Sequence, residues 1–574
     1  MKVVIIGGVA GGATAAARIR RLDESAEIHV FERSGYVSYA NCGLPYYIGG
    51  VITDPEELTL QTPESFWKRF RIHMHVCHEV TAIHPERKSV TVKNLETGES
   101  FEESYDKLLL SPGAKPIVPD FHGPKPGAVF TLRTVEDTFR IRSFAEEKRP
   151  RSAVLAGGGF ISLELAENLR RMGMEVTIVQ KLDHLLNPLD YDMASFLHGK
   201  MRSMGVRLIL ERAVTGLSAE NDSIKVEVED HAPLTADMVI LAIGVRPDTS
   251  LAKDAGLALG AGGSIIVNSR METSIPDIYA AGDAVQIRHR VTGKDTRIAL
   301  AGPANKQGRI AADNICGGDS HYEGAQGTSI IKIFDMTFAV TGLNEQAAQA
   351  AKISYDKVYL SPSSHASYYP GARTMTMKVL FEKGSLKLLG AQIAGFDGVD
   401  KRIDVLAAAI YAGLSASALK DLDLAYAPPY ASAKDPVNMA GYLIENLAQG
   451  RVKQIFWDQL KDLPYDGSAL LLDVRTPAEY EKSHMEGFVN VPLDELRDHL
   501  SGLDPSKPVY VLCQSGLRSY LACRILMQHG FDCSHIAGGY LLCQSVFADR
   551  APAQKHRPCG METAQPADSA QTIS

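Results

Sequence analysis

Two segments of this chain repeat one pattern, an apolar strand, a glycine turn and a helix, and that repetition constrains the fold more than any bulk property. Lys2 to Ile6 runs into Gly7-Gly8-Val9-Ala10-Gly11-Gly12 and then the helix-like stretch Ala13 to Leu22. Ser152 to Ala156 runs into Gly157-Gly158-Gly159-Phe160-Ile161-Ser162, with Glu164 and Glu167 on the helix that follows. In such a unit the first glycine permits the tight turn and small residues let the backbone approach a pyrophosphate. The helix N-terminus supplies free N–H groups and partial positive charge. Two dinucleotide sites are therefore expected in an α/β fold.

The two sites differ in detail. In the first, Gly7 and Gly12 take the first and third glycine positions, and Val9 stands where the middle glycine usually is. The strand Glu27 to Phe31 ends in Glu32, 20 residues beyond Gly12, where a carboxylate meets the ribose hydroxyls of an adenosine. In the second, Ser162 replaces the third glycine, and the strand Glu175 to Val179 ends in Gln180 and Lys181. No carboxylate stands at that ribose position, so NADH and NADPH both remain open; Lys181 reads better as a solvated surface charge.

A chain of 574 residues is too long for one core and calls for several domains. Its net charge of -8 comes without a block of lysine or arginine, so nucleic acid is not an expected partner and small molecules are. The opening apolar run meets Gly7 too soon to be an export signal, and no stretch approaches the roughly 20 apolar residues of a membrane span. A cytoplasmic protein with no membrane partner is expected. Eight cysteines lie along the chain without a C-x-x-C pair, which argues for free thiols and against a disulfide framework or a zinc ribbon, so no metal is expected.

Two nucleotide units in tandem, the first interrupted by the second, resemble the flavoprotein disulfide reductases. Leu110-Ser111-Pro112-Gly113-Ala114 is similar to that family's crossover after the first unit, and Ala242-Ile243-Gly244-Val245-Arg246-Pro247 to the end of the second. Thr273 to Asp283 resembles the second flavin motif, in which the Asp283 carboxylate accepts hydrogen bonds from the ribityl chain. The resemblance implies FAD at Gly7, Gly8, Val9, Ala10, Gly11, Gly12, Glu32, Ser111, Gly113 and Asp283. It implies NADH or NADPH at Gly157, Gly159, Phe160, Ile161, Glu164, Gln180 and Gly244. The organisation it implies is an FAD domain over 1–115 and 250–322, an NAD(P)H domain over 116–249 and an α+β dimerisation domain over 323–445 that makes a homodimer.

Cys42 ends the run Ser38-Tyr39-Ala40-Asn41-Cys42, and no second cysteine follows at the usual distance of the paired family members. A lone cysteine beside flavin can cycle through a sulfenic acid or through a mixed disulfide with a small thiol. The peroxidase-like branch carries a histidine near the first glycine turn, and this chain has none there, so the peroxide reading loses its acid–base partner. In contrast, Ala13 to Leu22, Ser38 to Cys42, His365 to Gly371 and Ala425 to Tyr430 resemble coenzyme A-disulfide reductase. By that resemblance Arg18, Arg21, Ser38 and Asn41 hold coenzyme A, and Tyr368 and Tyr426 reach the sulfur chemistry at Cys42 from the partner subunit. Tyr369 and Tyr430 are expected to be packing. The segment Leu44 to Ile48 after Cys42 is expected to open a helix that lowers the thiol pKa.

A further αβ pattern follows a stretch read as a linker, 446–464. The strand Pro508 to Leu512 delivers Cys513 to the loop Cys513-Gln514-Ser515-Gly516-Leu517-Arg518, whose amides can converge on an anion. Residues 465–548 resemble a rhodanese domain, in which Cys513 carries a persulfide cradled by the loop amides and Arg518. Cys523, Cys533 and Cys543 are expected to be separate core thiols, and 549–574, with Cys559, a flexible tail.

The whole resembles NADH-dependent persulfide and polysulfide reductases. The leading expectation is an FAD-dependent, NAD(P)H-driven reductase of sulfane sulfur, namely coenzyme A persulfide or polysulfide, and of coenzyme A disulfide. The alternatives are an oxygen-using NADH oxidase, or a flavoprotein whose rhodanese module only carries sulfur or docks.

Overall fold

The protein is described by a computed structural model over residues 1–121, 127–551 and 561. It divides into two compact units, one of residues 1–182 with 206–327, the other of 183–205 with 328–574.

The first unit holds two parallel sheets. In one, the strands run in the order Ile278–Ala280, Lys107–Leu110, Lys2–Ile6, Glu27–Phe31, His73–His75. Val3, Val4 and Ile5 are fully buried, as a strand covered by helices on both faces demands. Because the first strand lies between Lys107–Leu110 and Glu27–Phe31, the chain leaves it in opposite directions, and the crevice of a doubly wound sheet opens at its carboxyl end, at Gly7. The other sheet runs Val206–Ile209, Glu175–Val179, Ser152–Ala156, Met238–Leu241, Val129–Phe130, which places Gly157 at the equivalent point. The crossovers read from sequence meet each other: Ala114–Pro116 pairs antiparallel with Val245–Pro247.

The second unit contains a five-stranded antiparallel sheet, in the order Ser329–Ile333, Met336–Gly342, Leu388–Gly395, Met375–Glu382, Tyr355–Leu360. The helices Val399–Tyr411 and Pro436–Ala448 share its apolar core through Ile403, Leu406, Val437 and Ile444. A five-stranded parallel sheet follows, in the order Lys453–Ile455, Cys533–Ile536, Val509–Leu512, Leu470–Asp473, Val489–Asn490. Its edge strand Lys453–Ile455 lies inside the stretch read as a linker, so part of that stretch belongs to the sheet. Asp549, read as the start of a flexible tail, is buried in the helix Gly539–Arg550. Cys559 lies outside the described residues.

Residues 183–205, which leave the second nucleotide sheet in sequence, tie the two parts of this unit together. Asp190 and Asp192 reach Lys378, whose Nζ lies 2.8 Å from Asp190 and 2.9 Å from Asp192, with Glu345 at 2.6 Å. A lysine with no exposed surface is tolerated only because several carboxylates and the Tyr359 ring surround it. At its other end the helix Tyr191–Ser203 meets the helix Gly539–Arg550, where Asp549 accepts from Tyr191 Oη at 2.6 Å and pairs with His198 and Arg202.

Candidate functional site

The first glycine turn has room for backbone alone. Gly7 has φ +97°, and a Cβ built there would stand 2.2 Å from the Ser111 carbonyl oxygen; one on Gly12 would stand 1.9 Å from that of Gly7. A Cβ on Gly11 would meet Ser111 Oγ at 2.7 Å. The helix Ala10–Leu22 begins directly after Val9, and Glu32 closes the turn from the neighbouring strand, its Oε2 accepting from Gly8 N at 2.8 Å and its Oε1 from Ser34 N at 3.0 Å. Burial raises the Glu32 pKa, and the two amide N–H donors oppose that. Gly113, at φ +72°, follows Ser111, and Asp283 follows the strand Ile278–Ala280, its carboxylate accepting from Arg133 Nη2 at 2.7 Å. A turn with no room for a side chain at Gly7 and Gly12, closed by a carboxylate, fits the adenosine and pyrophosphate of a dinucleotide.

The second turn repeats the first. Gly157 has φ +101°, and a Cβ there would stand 2.4 Å from the Ala242 carbonyl oxygen, whereas one on Gly159 would meet nothing within 4 Å. The helix Phe160–Arg171 starts after Gly159 and carries Ile161 and Glu164; Ser162 Oγ is buried without a hydrogen-bond partner among the described residues. Gln180 is buried, with Oε1 accepting from Lys181 N, and Gly244 turns at φ +120°.

Glu164 does more than follow a nucleotide turn. Gly49 packs against the helix Phe160–Arg171 where a Cβ would stand 2.0 Å from Asn168 Oδ1, which brings the helix Leu44–Ile48 onto it. Tyr46 Oη then donates to Glu164 Oε1 at 3.3 Å. Burial, then the Glu167 charge, push the Glu164 carboxyl up to about 7 against the Tyr46 hydrogen bond. Cys42 sits in the short turn Asn41–Gly43 just before this helix and keeps solvent exposure. Its pKa is raised, by burial around the thiol and then by Glu164, with Arg133 opposing and Asp283 adding. The expected lowering by the helix is therefore not realised: one and a half turns of helix are outweighed by desolvation and nearby carboxylates.

Around the cysteine segment, Ser38 has φ +47° and its N–H donates to the Gly8 carbonyl, while Asn41 N–H donates to Tyr39 O. Arg18 Nε donates to Asp313 Oδ1 at 2.6 Å; Arg21 is exposed. In the second unit, Tyr368 and Tyr426 join hydroxyl to hydroxyl at 2.7 Å, with Tyr368 73% exposed. The packing role expected of Tyr430 is not realised within the chain, since its ring is 71% exposed, whereas Tyr369 lies against His365.

The second thiol is held differently. Cys513 is fully buried at the end of the strand Val509–Leu512; Gly516 N–H donates to its Sγ at 3.1 Å, and Ser519 Oγ lies at 3.3 Å. Gly516 adopts φ +103° as the cap of the helix Leu517–Gln528, which turns the loop amide inward. Arg518 forks onto Glu479, Nη1 to Oε2 and Nη2 to Oε1, both at 2.7 Å. Cys523 and Cys533 are not separate core thiols as expected: they are free, buried and 2.8 Å apart. Strand register explains the meeting, since Cys533 pairs with Val509 and the helix Leu517–Gln528 packs over that strand.

With both turns and the two thiols placed, similarity to known proteins becomes decisive. The sequence profile of the pyridine nucleotide-disulphide oxidoreductases matches residues 1–308, and that of their dimerisation domain matches 328–436. The chain belongs to this family. A rhodanese-like domain matches residues 456–544. Coenzyme A disulfide reductase of Staphylococcus aureus is 36% identical over 442 residues, 77% of this chain and 99% of its own. Two solved structures extend across both modules. Reduced Bacillus anthracis CoADR-RHD has TM-score 0.92 and 48% identity over 96% of this chain and 98% of its own. An NAD-dependent persulfide reductase from A. fulgidus has TM-score 0.90 and 37% identity over 95% and 100%. The chain is thus a flavin-dependent oxidoreductase of the pyridine nucleotide-disulphide family, with FAD and NAD(P)H as cofactors and a rhodanese module. Among the described residues no helix is long and apolar enough to cross a membrane.

For a member of this family, sequence reasoning missed the contacts made around the two thiols. Arg133, which pairs with Asp283, and Tyr46, which reaches Glu164, carry no motif of their own. Glu479 had a visible signal, the capping pattern Thr476-Pro477-Ala478-Glu479, but its pairing with Arg518 arises from tertiary contact alone.

Proposed function

We propose that this protein reduces sulfane sulfur, as coenzyme A persulfide or polysulfide, and coenzyme A disulfide, with electrons from NAD(P)H. The observation that carries the reading is Cys42: a solvent-accessible free thiol beside the carboxylates Glu164 and Asp283, so that its partner sulfur comes from the substrate. Bound FAD supplies the route by which a hydride from the nicotinamide becomes two electrons at sulfur. The turn residues from Gly7 to Gly12, with Glu32, Ser111, Gly113 and Asp283, would hold FAD. Gly157, Gly159, Phe160, Ile161, Glu164, Gln180 and Gly244 would line the nicotinamide nucleotide site.

The Cys42 thiolate attacks coenzyme A disulfide, giving a Cys42–coenzyme A disulfide and one coenzyme A thiolate. With coenzyme A persulfide it attacks the outer sulfur, giving a Cys42 persulfide and coenzyme A thiolate. Two electrons then cleave the new S–S bond, returning the Cys42 thiolate and releasing coenzyme A thiolate or hydrosulfide. Arg18 and Arg21 supply guanidinium groups suited to the phosphates of coenzyme A, with Ser38 and Asn41 beside the thiol. In a cytoplasmic homodimer, Tyr368 and Tyr426 of the partner subunit would donate hydrogen bonds to the departing thiolate. Cys513 takes up sulfane sulfur as a persulfide and passes it toward coenzyme A or Cys42.

Anaerobic NAD(P)H consumption with coenzyme A persulfide, coenzyme A disulfide, polysulfide and, separately, oxygen tests this. Fast turnover of the sulfur substrates that is lost in Cys42→Ser supports it. Turnover with oxygen alone would replace it with the oxidase reading.

A further inference from the structure

Two arginines stand near the Cys513 loop, and each already has a carboxylate. Arg518 is forked onto Glu479 with both bonds at 2.7 Å. Arg475, buried, donates through Nε to Asp473 Oδ1 at 3.0 Å and through Nη2 to Oδ2 at 2.6 Å, and lies over the Tyr540 ring at 4.1 Å. The rest of the loop, Gln514, Ser515, Gly516 and Leu517, carries no charge. Toward solvent the rim is apolar: Leu517 is 66% exposed, and Leu521 stands one helical turn on, 41% exposed. Among the described residues the hydrogen bonds of the thiol are with a neutral amide and a hydroxyl, Gly516 N–H and Ser519 Oγ, and the Arg518 charge that it feels is shared with Glu479.

From these pairings we infer that Glu479 is a specificity residue of the rhodanese module: by occupying Arg518 it leaves the loop without a free cation, so that Cys513 takes sulfur from persulfides of thiols and rejects dianionic donors such as thiosulfate. The inference rests on the sulfur-transfer role of Cys513 proposed above. With a thiol persulfide, the Cys513 thiolate attacks the terminal sulfur; the S–S bond of the donor breaks, Cys513 becomes a persulfide and a thiolate leaves. With thiosulfate the same attack expels sulfite, a dianion. A loop whose arginines are matched one for one by carboxylates does not stabilise two negative charges at the transferred sulfur and its leaving group, whereas a thiolate is a single charge that takes up a proton from water, and the phosphates of coenzyme A lie at the far end of its arm. The apolar rim suits the arm of a thiol better than a small hydrated anion.

The test compares two donors, coenzyme A persulfide and thiosulfate, with cyanide as acceptor, on the full-length holoenzyme. In Glu479→Gln the amide keeps the reach of a helix-capping side chain toward Thr476 but no longer neutralises Arg518. The ratio of kcat/KM for persulfide over thiosulfate is expected to be large in the parent protein and to fall about tenfold or more in Glu479→Gln. Adding Arg518→Gln should remove the gain with thiosulfate. Limited proteolysis of the rhodanese module reports that each variant is folded there, and NAD(P)H-driven reduction of coenzyme A disulfide at Cys42 reports that the flavin-dependent chemistry is intact. Equal use of both donors by the parent overturns the inference. So does a Glu479→Gln protein that reduces coenzyme A disulfide yet keeps the parental donor ratio. If the parent transfers sulfur from neither donor while Cys42 chemistry persists, the transfer role of Cys513 falls, and the inference with it.

Discussion

His198 and Asp549 lie 351 residues apart in the chain, yet the imidazole Nδ1 is 2.8 Å from the carboxylate, and both side chains are buried. The ring's Nε2 accepts from Leu185 N–H at 3.0 Å, so the neutral tautomer with its proton on Nδ1 satisfies both neighbours. Burial lowers the His198 pKa despite the carboxylate, and His198 and Arg202 hold Asp549 far below the usual range. The last helix of the rhodanese module is thereby fixed to residues 183–205, with Ser545 and Ser195 joined hydroxyl to hydroxyl at 2.8 Å beside it. A module swinging freely on a linker would have to break this contact.

Asp549→Asn should loosen that junction. It removes the charge that His198 and Arg202 share, and breaking a buried pair from one side costs about 3–5 kcal/mol. The expected result is faster proteolytic release of the rhodanese module and a lower unfolding midpoint; an unchanged cleavage rate would show that the contact does not fasten the helix.

Gly12→Ala should abolish flavin retention. A methyl group at 1.9 Å from the Gly7 carbonyl oxygen cannot be accommodated without moving the turn, since the atom it strikes is backbone, with the Ile5 side chain 3.1 Å away. The flavin-to-protein absorbance ratio of the purified variant should fall close to zero, while circular dichroism retains the signal of the second unit.

The thiol of Cys42 should become more acidic in Glu164→Gln. After burial, the Glu164 charge acts most strongly against the thiolate, and this carboxyl ionises around pH 7. Removing it should move the pH profile of iodoacetamide alkylation to lower pH. The rates of parent and variant should converge below pH 7, where the carboxyl is already neutral.

Acid should weaken the rhodanese module through His535. This ring is buried in the strand Cys533–Ile536, and desolvation alone lowers its pKa from 6.5 to about 4. Its folded value lies below its unfolded one, so the unfolded chain takes up the proton first. Stability is full above pH 6.5 and declines as the pH falls toward about 4, by an amount on the order of 3 kcal/mol. His535→Leu should flatten that part of the curve, measured as the denaturant midpoint at pH 7 and pH 4.5; a slope identical to the parent's would sink the assignment.

Much of the frame was legible because local geometry enforces it. Gly7, Gly12 and Gly157 announce turns at which any side chain would strike backbone, and Glu32 follows at the spacing set by a strand and a helix. Cys42 and Cys513 were readable because each ends a short run whose neighbours shape the backbone, as Gly516 does by its left-handed turn. The charge around those thiols was not. The Cys42 thiol is made less acidic by burial and then by Glu164, which is 122 residues away in sequence and arrives on a helix packed at Gly49.

The chain's own sequence determined where strands end, where only glycine can turn and which thiols stand without a neighbour in sequence, because these follow from sterics within a few residues. Tertiary structure alone decided that residues 183–205 leave their sheet for the second unit, that Cys523 meets Cys533, and that Arg518 faces Glu479. Those outcomes follow from burial and charge pairing, whose energies depend on groups brought together from distant parts of the chain.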